Sequence, residues 1–179
     1  MTKKLFFDTD CFSSFLWVNQ EQLLLRLYPG RIVIPNEVSV ELSNPCIPHI
    51  KKKMNHMSSL GQLQKKQLFN ESEESRLFYD MTINPDKNVV PIGKGEAAAL
   101  ALAKVYKGLV ASNNVKDIRY YVEKWHLDYI TSAEILVEAK CMSLIDESEG
   151  NKIWLDMLAK KRSLPANSFT EYIEHMRKN

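Results

Sequence analysis

Four acidic residues stand at places in this chain where carboxylate chemistry can be assembled: Asp8, Glu41, Glu96 and Asp117. Asp8 closes the apolar run Leu5-Phe6-Phe7, with Asp10 two residues on. Glu96 sits directly behind the glycine turn Ile92-Gly93-Lys94-Gly95 and opens an alanine-rich run to Ala103. Asp117 follows the run Leu109-Val110-Ala111-Ser112 and the pair Asn113-Asn114, and Glu41 falls about one turn into the segment after Arg31-Ile32-Val33-Ile34. Carboxylates crowded together repel one another, so some protonate or a cation neutralises them. Oxygen-only donors select hard ions such as Mg²⁺ or Mn²⁺ over zinc. Such an ion lowers the pKa of a water and holds a phosphate oxygen, which is the equipment for phosphodiester hydrolysis. Taken singly, each acid is equally at home at a loop end or in a first helical turn, where it interacts with the helix dipole. The joint placement makes the case, and no serine–histidine or cysteine–histidine arrangement competes for it.

Positioning these residues requires short strands alternating with helices. Lys4 to Phe7 reads as a buried strand, and Phe12 to Leu27 as one or two helices ending at Pro29-Gly30. Arg31 to Ile34 reads as a second strand, with Asn36 as the N-cap of a helix through Leu42. Ile50 to Leu68 is lysine-rich and helix-compatible with little β character, and Glu71 to Val90 reads as a helix and then a loop. The alanine-rich segment is a close-packed helix. Leu109 to Ser112 is a third strand, followed by a helix from about Lys116 to Trp125. Leu127 to Ile130 is a fourth strand, and Thr131 or Ser132 caps the helix after it. Further helices lie near residues 151–160 and 168–177. This alternation predicts a central parallel sheet covered on both faces, a three-layer α/β/α sandwich. Functional groups in such a sheet gather beyond the carboxyl ends of the strands, where Asp8, Glu96 and Asp117 stand.

The length of 179 residues suits one domain, 1–179, with a helical insertion at about 45–90 and C-terminal helices at about 150–179. A net charge of +2 argues against a histone-like binder of nucleic acid. Cys11, Cys46 and Cys141 are too scattered for a disulfide framework or a zinc ribbon, and they read as small apolar residues in a reducing, cytoplasmic protein. The opening MTKKLFFDTD is not a signal peptide, and no stretch approaches the ~20 apolar residues of a membrane span. His49, His56, His126 and His175 have no ligand spacing, and Trp17, Trp125 and Trp154 read as core. The runs Lys51-Lys52-Lys53 and Lys65-Lys66 read as solvated faces, with phosphate contact as the alternative. Lys94, Lys116 and Arg119 are the better nucleic-acid contacts because they flank the acids.

The elements Leu5-Phe6-Phe7-Asp8-Thr9-Asp10, Ile32-Val33-Ile34-Pro35 with Val38, Glu41 and Leu42, Ile92-Gly93 with Gly95-Glu96-Ala97, and Ala111-Ser112-Asn113-Asn114 with Asp117-Ile118 follow one another in the order of the PIN-domain nucleases, a family this chain resembles over roughly residues 3–145. Two positions depart from the family's pattern: Asn114 stands where many members carry Asp, and Ile118 replaces a usual Phe. The resemblance implies a metal-dependent endoribonuclease with catalytic residues Asp8, Glu41, Glu96 and Asp117, of which Asp8, Glu96 and Asp117 hold Mg²⁺ or Mn²⁺. It implies outer roles for Asp10, Ser112 and Asn114, with Ser112 hydrogen-bonding Asp8. Relatives include the toxins of bacterial VapBC-type toxin–antitoxin pairs, so RNA substrate, a small antitoxin partner and a homodimer are expected. The alternatives are a catalytically degenerate PIN-like binding module and a structure-specific DNA nuclease.

Overall fold

Strand β1 (Leu5–Phe7) is buried at every position, as a parallel strand covered on both faces must be. In the computed structural model, which describes residues 2–178, it is the middle of a five-stranded, all-parallel sheet. Its partners are β2 (Ile32–Pro35) on one side and β4 (Leu109–Ala111) on the other. Strands β3 (Gln64–Lys66) and β5 (Tyr129–Ile130) form the edges, giving the order β3-β2-β1-β4-β5. The chain builds outward from β1 to β3, then returns to start again at β4. The switch point therefore lies between β1 and β4, where open α/β sheets form their crevice.

Alternation along β1 sends its side chains into two cores. Leu5 and Phe7 join a core with α1 (Thr9–Trp17), α2 (Glu21–Leu27), α4 (Pro48–Ser59), α8 (Ser132–Cys141), α9 (Glu147–Ala159) and α10 (Phe169–Lys178). Phe6 joins the opposite core with α5 (Glu73–Thr82), α6 (Lys94–Val105) and α7 (Val115–Trp125). Helix α3 (Asn36–Glu41) follows β2 and packs beside α6. The expected α/β/α layering is present. The alanines of α6 are all fully buried, and their small side chains let the helix lie close on the sheet. At Gly108, which leads into β4, a Cβ would sit 2.4 Å from the Phe6 ring and 2.8 Å from the Lys4 carbonyl, so only glycine allows that approach.

Several expectations need correction. The segment expected to lack strand character holds β3, whose residues Gln64, Lys65 and Lys66 pair with Val33, Ile34 and Pro35. An edge strand facing solvent needs no apolar side chains, so its sequence carries no strand pattern. Asn36 is the first residue of α3 and not its cap; Pro35 takes the cap position, with φ −56° and ψ 149°. Of the three cysteines only Cys11 is a buried apolar residue, while Cys46 and Cys141 are exposed. The tryptophans are core as expected. Trp154 is fully buried with its Nε1–H donating to the Ala166 carbonyl at 3.0 Å, and Trp17 and Trp125 pack against the two cores. Among the described residues no helix is long and apolar enough to cross a membrane.

Candidate functional site

Asp8 leaves β1 and becomes the N-cap of α1. Its Oδ1 accepts from the Cys11 N–H at 2.7 Å, and its side chain is almost wholly buried. Oδ2 is buried too and has no hydrogen-bond partner among the described residues. Burial pushes the carboxyl up to about 7. The Ser112 hydroxyl, near the carboxyl but outside hydrogen-bond geometry with it, and the Cys11 N–H oppose that rise, while the nearby charges of Glu96 and Asp10 add to it. A buried carboxylate beside two other acids, with a free oxygen, is a site with a charge to offset.

The other acids reach this edge from separate elements. Glu96 lies in the first turn of α6, whose N-cap is Gly93 with no side-chain cap. A Cβ on Gly93 would collide with the Glu96 carboxylate at 2.2 Å, so glycine leaves room for Glu96 to fold back over the helix start. Asn114 links two acids: its Nδ2 donates to Asp117 Oδ2 at 2.6 Å and to Glu96 Oε1 at 3.4 Å. Glu41 ends α3, exposed, and accepts a hydrogen bond from the Thr9 hydroxyl. The two meet against α6, because a Cβ on Gly95 would lie 2.7 Å from Thr9 Oγ1 and 3.1 Å from Glu41 Oε2. The acids come to this edge tied separately: Glu96 and Asp117 through Asn114, Glu41 through Thr9, and Asp8 by the Cys11 N–H alone. Among the described residues no three His, Cys, Asp or Glu side chains converge closely enough to hold an ion as they stand.

The flanking residues divide. Ser112 is fully buried, and its Oγ accepts from the Asn114 N–H at 3.2 Å. Asp10 is held from two sides, by Arg162 Nη1 at 3.1 Å and Asn113 Nδ2 at 3.3 Å. Asn113 is itself fixed, since its Oδ1 accepts from the Ser132 N–H at 2.8 Å. Lys94, Lys116 and Arg119 are exposed at the starts of α6 and α7. Of the distal lysines, Lys51 and Lys52 are exposed, and the other three are engaged within the protein. Lys53 Nζ donates to the Leu16 carbonyl and Asn19 Oδ1 and pairs with Glu21, Lys65 donates to Asn55, and Lys66 lies 3.9 Å from the Tyr106 ring centroid.

Sequence reasoning passed over Thr9, Asn113 and Arg162 as working parts of this edge. Thr9 and Asn113 lie within the motifs and were visible there. Arg162 lies 152 residues from Asp10, in the basic stretch between α9 and α10, and nothing local marks it.

No family model and no curated protein matches the chain. Solved structures do. One is VapBC2 from Rickettsia felis bound to a DNA fragment from their promoter, where the match has 14% identity and a TM-score of 0.51 and covers 71% of this chain and 97% of that one. Another is VapBC-1 from nontypeable Haemophilus influenzae, at 13% identity and a TM-score of 0.51, covering 72% of this chain and 97% of that one. Likeness at such identity speaks for the fold, and over a quarter of this chain lies outside the match. With its all-parallel sheet, its helices on both faces and this likeness, the chain has a PIN-like α/β/α fold.

Proposed function

We propose that the chain is a Mg²⁺- or Mn²⁺-dependent endoribonuclease, and that it is the toxin of a toxin–antitoxin pair, restrained in the cytoplasm by a small protein partner. The observation that carries this reading is Asp8, a carboxylate buried at the switch point of the sheet with one oxygen unpartnered. The fold shared with VapBC structures supports it. The donors at the edge are oxygens only, which suits a hard cation. Asp8 and Glu96 would hold the ion, and Asp117 would join them once the Asn114 amide turns away. When bound, the ion would lower the pKa of a water and offset charge on the phosphate.

The chain's own residues supply position and charge. The Cys11 N–H fixes one Asp8 oxygen, and the other, buried and unpartnered, would be the one to meet the ion. Glu41, held by Thr9 against the start of α6, would accept a proton from the attacking water. Asp10, anchored by Arg162 and Asn113, would orient that water, and Ser112 would steady Asp8 and Asn114. Lys94, Lys116 and Arg119 would take the flanking phosphates. Pairing of two copies would present two such edges.

A second reading rests on Asn114, whose amide occupies both Glu96 and Asp117: a PIN-like module that binds without cutting. A substrate panel separates the two. Purified chain with Mn²⁺ is given single-stranded RNA, transfer RNA and flap DNA. The ribonuclease reading expects RNA cut, with cutting lost in EDTA and in Asp8→Asn. RNA bound but intact favours the module, and cutting confined to flap DNA contradicts both. Co-purification with a small protein encoded beside this one tests the partner.

A further inference from the structure

Beside the acids lies a cavity of about 280 Å³ that the proposed chemistry does not use. It is lined from the end of β5 and the start of α8 by Tyr129, Thr131 and Glu134. Tyr172 of α10 and the segment Ser163-Leu164-Pro165 complete the lining. Asn113 is the wall shared with the acids, because it lines the cavity and donates to Asp10. Arg162 ties the 163–165 segment to the same Asp10. The cavity therefore opens next to the place where a phosphate would sit.

Its lining is built for a flat, polar-edged ring. Tyr172 is held in orientation by Trp154, with ring centroids 5.4 Å apart and an interplanar angle of 33°. Tyr129 is 40% exposed and offers a second aromatic face. Glu134 supplies the polar edge. Its Oε2 takes both the backbone N–H of Thr131 at 2.7 Å and the Thr131 hydroxyl at 2.9 Å, which fixes the carboxylate and leaves Oε1 to accept from a ligand. The volume is below the ~300–1,000 Å³ of pockets for drug-sized ligands, so it suits one ring system and not a longer stretch of chain. Unstacked bases of single-stranded RNA are bound in this way, on an aromatic face with hydrogen bonds along the base edge. A fixed carboxylate acceptor selects a base with an exocyclic amine.

We infer that this cavity takes one nucleobase next to the cleaved phosphate and favours the bases with an exocyclic amine, cytosine, adenine and guanine, over uracil, with Tyr129 stacking on the ring and Glu134 accepting from the amine. The inference rests on the ribonuclease reading for the choice of RNA as ligand.

Binding of labelled rC5, rA5 and rU5 by fluorescence anisotropy in EDTA tests it without any cutting. Wild type binds rC5 and rA5 about tenfold tighter than rU5, and Tyr129→Ala removes most of that affinity, by about tenfold. Glu134→Gln keeps a residue able to close the capping box but turns a free acceptor into a donor, so the order reverses toward rU5. Thermal melts of both variants establish that they fold. Equal binding of all three oligonucleotides by wild type, or affinities unchanged in both folded variants, overturns the inference. Cleavage of RNA with Mn²⁺ is scored separately. Cutting without base-selective binding overturns the pocket alone, whereas base-selective binding without cutting upholds the pocket and removes the nuclease.

Discussion

The β1–α6–α7 edge and the C-terminal α8–α9–α10 unit treat their polar groups in opposite ways. Helices α8 and α9 begin with full capping boxes, Thr131 with Glu134 and Asp146 with Glu149. The junction of α9 and α10 is stitched by Asn151, Thr170 and Glu147, all within hydrogen-bond distance. At the other edge, α6 and α7 start at Gly93 and Asn114 with no side-chain cap, and Asp8 keeps a buried oxygen unpartnered. A buried acceptor without a partner costs about 1–3 kcal/mol, and more when charged. The C-terminal unit closes the starts of α8 and α9 with its own side chains, apart from the Glu134 Oε1 left free at the cavity, and the other edge leaves a buried charged group unsatisfied. Such a group is where a ligand of opposite charge gains most.

The largest expected effect comes from neutralising Asp8. Asp8→Asn should cut RNA cleavage by 100-fold or more (about 3 kcal/mol or more of transition-state stabilisation), read from initial rates with Mn²⁺. The same change should stabilise the metal-free protein at pH 8. Because burial raises the Asp8 pKa from 3.8 to about 7, the wild-type chain is most stable below pH 4 as far as this group is concerned. That contribution is lost as pH rises toward 7, and above it the protein carries a buried charge costing up to about 4 kcal/mol. Denaturant melts of wild type and Asp8→Asn should therefore converge near pH 4 and diverge by pH 8. Parallel curves would show that this edge carries no such unsatisfied group.

Next in size are two glycines that divide the regions. A Cβ on Gly150 would lie 2.2 Å from the Phe169 ring, so Gly150→Ala should cost about 1–3 kcal/mol by overpacking and leave the cleavage rate of the folded fraction unchanged. A Cβ on Gly95 meets Thr9 and Glu41 instead, so Gly95→Ala should lower cleavage more than it lowers the melting midpoint. Reversal of that pattern would dissolve the distinction. A smaller effect is expected at Asp146, where Asp146→Ala removes a cap worth about 1 kcal/mol, read as a lower denaturation midpoint with activity intact. Smallest is Arg162→Ala. Its pair with Asp10 is partly exposed, so stability should change by less than about 1 kcal/mol.

The same contrast explains what could be read from the sequence. Strands β1, β2 and β4 were legible because their residues are apolar throughout and all but Leu109 are buried. Strand β3 was not, since Gln64-Lys65-Lys66 owes its conformation to pairing with β2 and to nothing in its own side chains. Asp8 and Glu96 were visible as acids at a strand end and a glycine turn. What the sequence left hidden is how the acids are tied: Thr9 to Glu41, and Asn114 to both Glu96 and Asp117. Arg162 was out of reach for another reason, because only tertiary folding brings the α9–α10 segment to Asp10.

The most direct test of the account is a calorimetric titration of Mn²⁺ into wild type and Asp8→Asn at pH 8, where the Asp8 carboxyl is largely ionised. The account predicts saturable binding to wild type and its loss in the variant. Equal binding to both, or none to either, would contradict the claim that the unpartnered oxygen of Asp8 is the seat of a divalent cation.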